Sequence, residues 1–281
     1  MALPDFLIIG AMKCATSTLQ AQLAAQPGVF MTTPKEPNFF SDDEIYARGL
    51  PWYEGLFADA APGDLKGEAS THYTKLPTYP ECLARLSAAL ERPKLIYMIR
   101  NPIDRAISHY IHEWTLGRMP DEIGTAIERH PELIAYSEYA YQIAPYLETY
   151  GAERICLTSL ERLQADPGGE LTRIGTFLDL PAPPVWQEEQ ARVNASAQRI
   201  RRLPLHGLLI RNPVAAALRR ALIPQAVRNA IKGRLQMQKR PEISQDCRTR
   251  LEEVFAQDYA QLRDMFPGQD HLGLSYPFVR P

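Results

Sequence analysis

An α/β fold, with a central and mainly parallel sheet flanked by helices, follows from three observations on this 281-residue chain. Short apolar runs recur along it, segments with helical spacing separate them, and the length suits one large α/β domain spanning residues 1–281. Strands that alternate with helices favour a parallel sheet covered on both faces. The first run, Asp5 to Gly10, is a buried strand that ends in glycine. Thr16 to Gln26 then places Leu19, Leu23 and Ala24 at helical spacing, and Pro27-Gly28 stops it. Lys94 to Ile99 is a second buried strand. Pro102 to Trp114 forms a helix with proline in its first turn, where the missing N–H is harmless. A helix from about Ser137 to Tyr150, a strand from Arg154 to Thr158 and a helix from Gly169 to Leu178 continue the alternation. Leu251, Val254, Phe255, Tyr259 and Leu262 mark a C-terminal amphipathic helix with Ser244 as its N-cap.

Composition narrows the function. With 45% hydrophobic residues the chain can bury a full core, and its net charge of −2 argues against a dedicated nucleic-acid binder. Cys14, Cys82, Cys156 and Cys247 are far apart and lack metal-ligand spacing, which predicts reduced thiols and no metal centre. The run Phe6 to Ile9 is too short to span a bilayer and no signal segment precedes it, so a cytoplasmic protein is expected. Charge is nevertheless uneven. Residues 191–241 hold twelve of the 31 Lys and Arg residues and none of the 33 Asp and Glu. This basic, irregular or helical segment reads as a site for an anion, as a peripheral membrane contact, or as a solvated helix.

The chemistry begins at the first turn. Gly10 to Leu19 runs from a strand through small residues into a helix N-terminus, a geometry that aims backbone N–H groups and the helix dipole at an anion. The pattern is P-loop-like but departs from GxxxxGK[ST]: Ala15 replaces the second glycine, Thr16 the lysine, and the lysine is Lys13. A nucleotide kinase also needs an acidic residue for magnesium, whereas the second strand delivers Arg100. Ser108 follows eight residues on, about two helical turns, so that Arg100 and Ser108 can grip one phosphate. Arg105 serves as a cap or an ion-pair partner, and His109 as a structural residue.

Taken together, Lys13 to Leu19 resembles the 5′-phosphosulfate loop K-x-G-T-[TS]-x-L of sulfotransferases that use 3′-phosphoadenosine 5′-phosphosulfate (PAPS). Arg100 to Ser108 resembles their 3′-phosphate motif R-x-P-x-x-R-x-x-S. Lys35 to Phe40, with Glu44, Tyr46, Gly49-Leu50 and Trp52-Tyr53, is similar to the heparan sulfate branch, as is Gly67 to Tyr73 to its E-K-[ST]-P-x-Y segment. The resemblance implies transfer of a sulfuryl group from PAPS to a hydroxyl or amine, leaving 3′-phosphoadenosine 5′-phosphate (PAP), with no metal required. Lys13 would stabilise the leaving phosphate, and the backbone and hydroxyls of Cys14, Ala15, Thr16, Ser17 and Thr18 would cradle the phosphosulfate. Arg100 and Ser108 would hold the 3′-phosphate. Glu36 would be the base, with His72 its rival because imidazole titrates near neutral pH. One of two basic clusters, Lys232-Gly233-Arg234 or Lys239-Arg240-Pro241, would supply the late cofactor loop. Alternatives remain at this point: a P-loop NTPase, or a nucleotide-binding protein without turnover.

Departures from that pattern lie on the acceptor side. Asn38 and Ser41 stand where heparan 3-O-enzymes have His and Asp, and Ala69 replaces a lysine that contacts the glycan. Ala15 in a glycine position requires a negative φ. The acceptor is expected to be a small molecule, lipid or glycan, with Trp52, Tyr53, Tyr73 and Trp114 lining a cleft or packing in the core. Unlike the Golgi relatives, this chain begins almost at its first strand, consistent with a bacterial-type soluble enzyme.

Overall fold

The computed structural model describes residues 3–191, 237 and 239–279. Strands β1 (Phe6–Gly10), β2 (Val29–Met31), β3 (Leu65–Ala69), β4 (Lys94–Ile99) and β5 (Ile155–Ser159) form one sheet in the order β2-β3-β1-β4-β5. Every neighbouring pair is parallel. Phe6 to Ile9 and Leu95 to Ile99 are wholly shielded from solvent, as strands covered on both faces must be.

Helices fill the connections: α1 (Thr16–Ala24), α2 (Asp43–Tyr46), α3 (Leu50–Gly55), α4 (Cys82–Ala89), α5 (Pro102–Leu116), α6 (Ile123–Arg129), α7 (Glu132–Ala135) and α8 (Tyr139–Tyr150). They continue with α9 (Leu160–Ala165), α10 (Pro167–Phe177), α11 (Glu188–Ala191) and α12 (Gln245–Met265). The expected helices and the three apolar strands are all present, with ends shifted by one or two residues. Ser244 caps α12 by accepting the Cys247 N–H at 3.2 Å, and Asn101 caps α5 by accepting from Asp104 at 3.1 Å.

Strands β2 and β3 were not expected. β2 is only three residues long, and β3 reads Leu-Lys-Gly-Glu-Ala, too polar to register as a buried run. Both polar anomalies have packing reasons. A Cβ on Gly67 would collide with the Phe6 ring and the Met31 sulfur, so only glycine lets β3 lie against β1 and β2. Glu68, fully buried, accepts from Ser70 Oγ at 2.5 Å, Tyr73 OH at 2.8 Å and Tyr53 OH, which satisfies the carboxyl group. Burial raises its pKa, and the three hydroxyl donors oppose that shift.

The strand order places the site. After β1 the chain moves to one side for β2 and β3, then crosses to the other for β4 and β5. The crevice beyond the carboxyl ends of β1 and β4 is therefore the switch point where open parallel sheets bind ligands. Packing behind that crevice is fixed from α12. Asp258 accepts the Ala140 and Tyr141 N–H groups at 3.1 and 3.2 Å, capping α8 from a distance of over a hundred residues in sequence. Burial raises its pKa to about 6 despite those donors.

Candidate active site

The turn after β1 turns its backbone inside out to make a cradle. Lys13 and Ala15 both have left-handed backbone, with φ of 69° and 66°. For Ala15 this corrects the expectation of a negative φ. Non-glycine residues adopt this region at a cost of about 1–3 kcal/mol, and the gain is a concave nest of N–H groups at the start of α1. The nest is narrower than the sequence suggests. Thr18 N–H returns to the Ala15 carbonyl at 2.9 Å, and Cys14 N–H to the Ala11 carbonyl at 3.2 Å. The Cys14 side chain is fully buried behind the turn, 3.7 Å from Tyr139 OH, and burial pushes its thiol up to about 11. Cys14 therefore does not line the cavity, and the Thr18 amide is already hydrogen-bonded within the turn. Ala15, Thr16 and Ser17, with the Thr18 side chain, form the cradle.

The two turns are physically joined. Arg100, leaving β4, donates from Nη1 to the Lys13 carbonyl at 3.2 Å, while its buried Nε has no hydrogen-bond partner among the described residues. Tyr139 OH donates to the Arg100 carbonyl at 2.9 Å, and Glu161 accepts the Asn101 N–H at 2.8 Å, so the exit of β4 is held from behind. Ser108, two turns into α5, faces the same cavity as Arg100 and Lys13. Arg105 does not. It is fully buried and donates to Ser137 Oγ and, at 2.8 Å, to the Leu133 carbonyl, so it packs α5 against the α7–α8 connection. Among the described residues it is neither a cap nor half of an ion pair.

Lys13, Thr16, Ser17, Glu36, His72, Arg100 and Ser108 line one cavity of about 920 Å³. Burial, then the Arg100 charge, lowers the Lys13 pKa. Glu36 sits on left-handed backbone, φ 56°, pinned by its N–H to the Ala69 carbonyl at 3.0 Å. Its Oε1 accepts from Thr71 at 3.2 Å and lies 3.5 Å from Lys35 Nζ. His72 stacks on Tyr79 at 4.7 Å, and burial followed by the Lys75 charge lowers its pKa to about 4. At neutral pH its imidazole is therefore unprotonated, and it lines the cavity with Glu36 as a second proton acceptor. His109 stacks on Tyr136 at 5.5 Å with a pKa pushed down to about 2 by burial, in keeping with a structural role.

Two functional candidates escaped the sequence reading. Lys35 donates to Ser17 Oγ and, at 3.4 Å, to Thr16 Oγ1, adding a second lysine to the cradle. The acidic neighbour in Lys35-Glu36 disguised it as a simple ion pair. Lys75 also lines the cavity, almost fully buried. Of the late cofactor clusters, Lys232, Gly233 and Arg234 lie outside the described residues. Lys239 and Arg240 are exposed and do not line the cavity, but Arg240 pairs with Asp104, whose other oxygen is 3.7 Å from Arg100 Nη2. Trp52, Tyr53, Tyr73 and Trp114 do not line the cavity either; its tyrosines are Tyr79 and Tyr136. Among the described residues no cluster of His, Cys, Asp or Glu is placed to hold a metal ion.

The chain is 38% identical over 192 residues to heparan sulfate glucosamine 3-O-sulfotransferase 3B1 of Mus musculus, covering 63% of this chain and 46% of that protein. It is 36% identical over 189 residues to the Homo sapiens enzyme 3A1, covering 63% and 45%. The chain thus spans about half the length of the curated relatives it matches. In fold it is similar to a sulfotransferase from Alicyclobacillus acidocaldarius, with a TM-score of 0.66 at 24% identity, over 94% of this chain and 96% of the other. The mouse sulfotransferase SULT7A1 complexed with PAP shares the fold with a TM-score of 0.51 at 14% identity, over 98% and 89%. The pattern described as the sulfotransferase domain matches residues 3–262, and the chain belongs to that family.

Proposed function

We propose that this protein transfers a sulfuryl group from PAPS to a hydroxyl, or an amine, of a glycan, lipid or small-molecule acceptor. The observation that carries the reading is the junction of the two turns. Arg100 Nη1 on the Lys13 carbonyl brings a nest of N–H groups, two lysines and an arginine with an unsatisfied Nε into one crevice beside Glu36. Those residues fit a ligand carrying anions at two points, and the PAP-bound relative of the same fold supports that ligand.

PAPS, when bound, supplies the sulfuryl group and a phosphate leaving group on which negative charge grows. Lys13 is placed to offset that charge and, with its lowered pKa, to give up a proton to it. The cradle of Ala15, Thr16 and Ser17 orients the phosphosulfate, with Lys35 holding the two hydroxyl oxygens so that their protons turn toward the ligand. Arg100 and Ser108 hold the 3′-phosphate. Glu36, fixed by Thr71 and the Ala69 carbonyl, accepts the proton of the attacking hydroxyl, a contribution of roughly 10²–10⁴ in rate.

Thermal stability tests the reading. PAP at about 100 times its dissociation constant adds about 2.7 kcal/mol to a protein that binds it. The melting temperature should rise with PAP in EDTA and respond little to ATP with magnesium. The reverse ranking points to an NTPase and eliminates the proposal.

A further inference from the structure

We propose that Lys75 is the acceptor-recognition residue, and that the acceptor it selects is a small hydroxy compound bearing a carboxylate. This inference rests on the sulfotransferase reading and adds the substrate class. Lys75 is 8% exposed, yet no described carboxylate forms an ion pair with it. The acids that share the cavity are engaged elsewhere. Glu113 is 3.3 Å from Arg118, Glu132 is 3.3 Å from His130, and Glu36 is held by Thr71 and Lys35. A buried cation without a counter-ion is costly, so a fold keeps one where a ligand completes the pair.

The position is also built rather than incidental. On one side Thr74 donates its hydroxyl to the Ile9 carbonyl of β1 at 2.9 Å. On the other, Leu76 is clamped in both directions by the fully buried Gln142 side chain, at 2.7 and 2.9 Å. Lys75 is thereby fixed between two anchored residues, on the segment that begins with Thr71, the hydrogen-bond partner of Glu36. That continuity places it on the acceptor side of the cavity rather than the cofactor side. Tyr136, 5.8 Å from Nζ, and Tyr79 each stack on a histidine and add ring faces to the same wall. Burial lowers the lysine pKa to about 8, with Glu36 opposing and Arg105 reinforcing the shift, so the amine stays mostly charged at neutral pH. The Lys75 ammonium, set against the Tyr136 ring, suits one carboxylate on a ring-bearing acceptor.

The test uses a matched pair of probes, 4-hydroxyphenylacetate and its uncharged amide, titrated by calorimetry into the PAP-bound protein. The acid should bind about tenfold more tightly than the amide, Lys75→Met should abolish that preference, and Lys75→Arg should retain it. PAP affinity, measured in the same samples, should be unchanged in both variants, which also shows that they fold. The proposal is overturned if the amide binds equally well, if neither probe binds, or if the preference survives in Lys75→Met. Failure of PAP itself to bind would instead overturn the sulfotransferase reading.

Discussion

Thr71 donates its hydroxyl to Glu36 Oε1 across 3.2 Å, and Lys35 approaches the same oxygen at 3.5 Å, so one carboxylate oxygen carries both contacts. The loop that bears Glu36 is tied to β3 and its extension by Glu36 N–H on the Ala69 carbonyl and Asn38 N–H on Ser70 Oγ, each at 3.0 Å. Glu68 in turn accepts from Ser70, so the buried carboxyl group of β3 supports the position of the proposed base. Glu36→Gln keeps the shape and the Thr71 contact but cannot take a proton. Single-turnover transfer should fall by roughly 10²–10⁴ while PAP affinity is preserved. Normal transfer in this variant would move the base elsewhere.

In the proposed reaction Lys13 acts where charge develops, so Lys13→Ala should lower kcat by roughly 10²–10³ with a smaller effect on the KM for PAPS. Steady-state kinetics on a variant with an unchanged melting temperature gives the answer. A variant that loses only affinity would make Lys13 a binding residue.

Lys35 reaches the cradle through Ser17 and Thr16 rather than through Glu36 alone. Lys35→Ala should therefore raise the dissociation constant for PAP, by about tenfold for a charge-assisted contact. Were Lys35 only the partner of Glu36, PAP affinity would not change and the acceptor step alone would suffer.

The frame of the fold was legible because β1, β4 after its first lysine and the first three residues of β5 are apolar runs. Buried parallel strands need no polar face, and their pattern survives in a single sequence. β3 was invisible for the opposite reason: Gly67 and Glu68 look like loop residues until Phe6 and the Tyr53, Ser70 and Tyr73 hydroxyls are placed around them. The cavity lining was legible at Lys13, Thr16, Ser17, Arg100 and Ser108, which stand at strand ends and in the first two turns of helices. Arg105 lies in the same motif and does a packing job, which spacing cannot reveal. Lys35 and Lys75 depend on contacts across 18 and 61 residues, with Ser17 and Tyr136, and no local pattern encodes those.

Stability should depend on pH through His109. Its pKa is about 2 in the folded protein against an ordinary value near 6.5 in the unfolded chain. The unfolded state therefore binds the extra proton first. The stabilisation is complete above about pH 6.5 and is lost progressively as pH falls toward the folded value. Between pH 7 and pH 5 this single side chain, almost fully buried, removes about 2 kcal/mol. His109→Phe keeps a ring for stacking on Tyr136 and lacks the titration, so its urea midpoint should fall less over that interval. Equal falls in both proteins would rule out His109 as the source.

The junction between the two turns is tested most directly by the heat of PAP binding to the intact protein in EDTA, compared with Arg100→Ala. One PAP should bind per chain, and the substitution should weaken it at least tenfold without lowering the melting temperature of the free protein. An absence of binding heat in the unmodified protein, or equal affinity in Arg100→Ala, would contradict the proposal that the crevice between β1 and β4 holds the nucleotide.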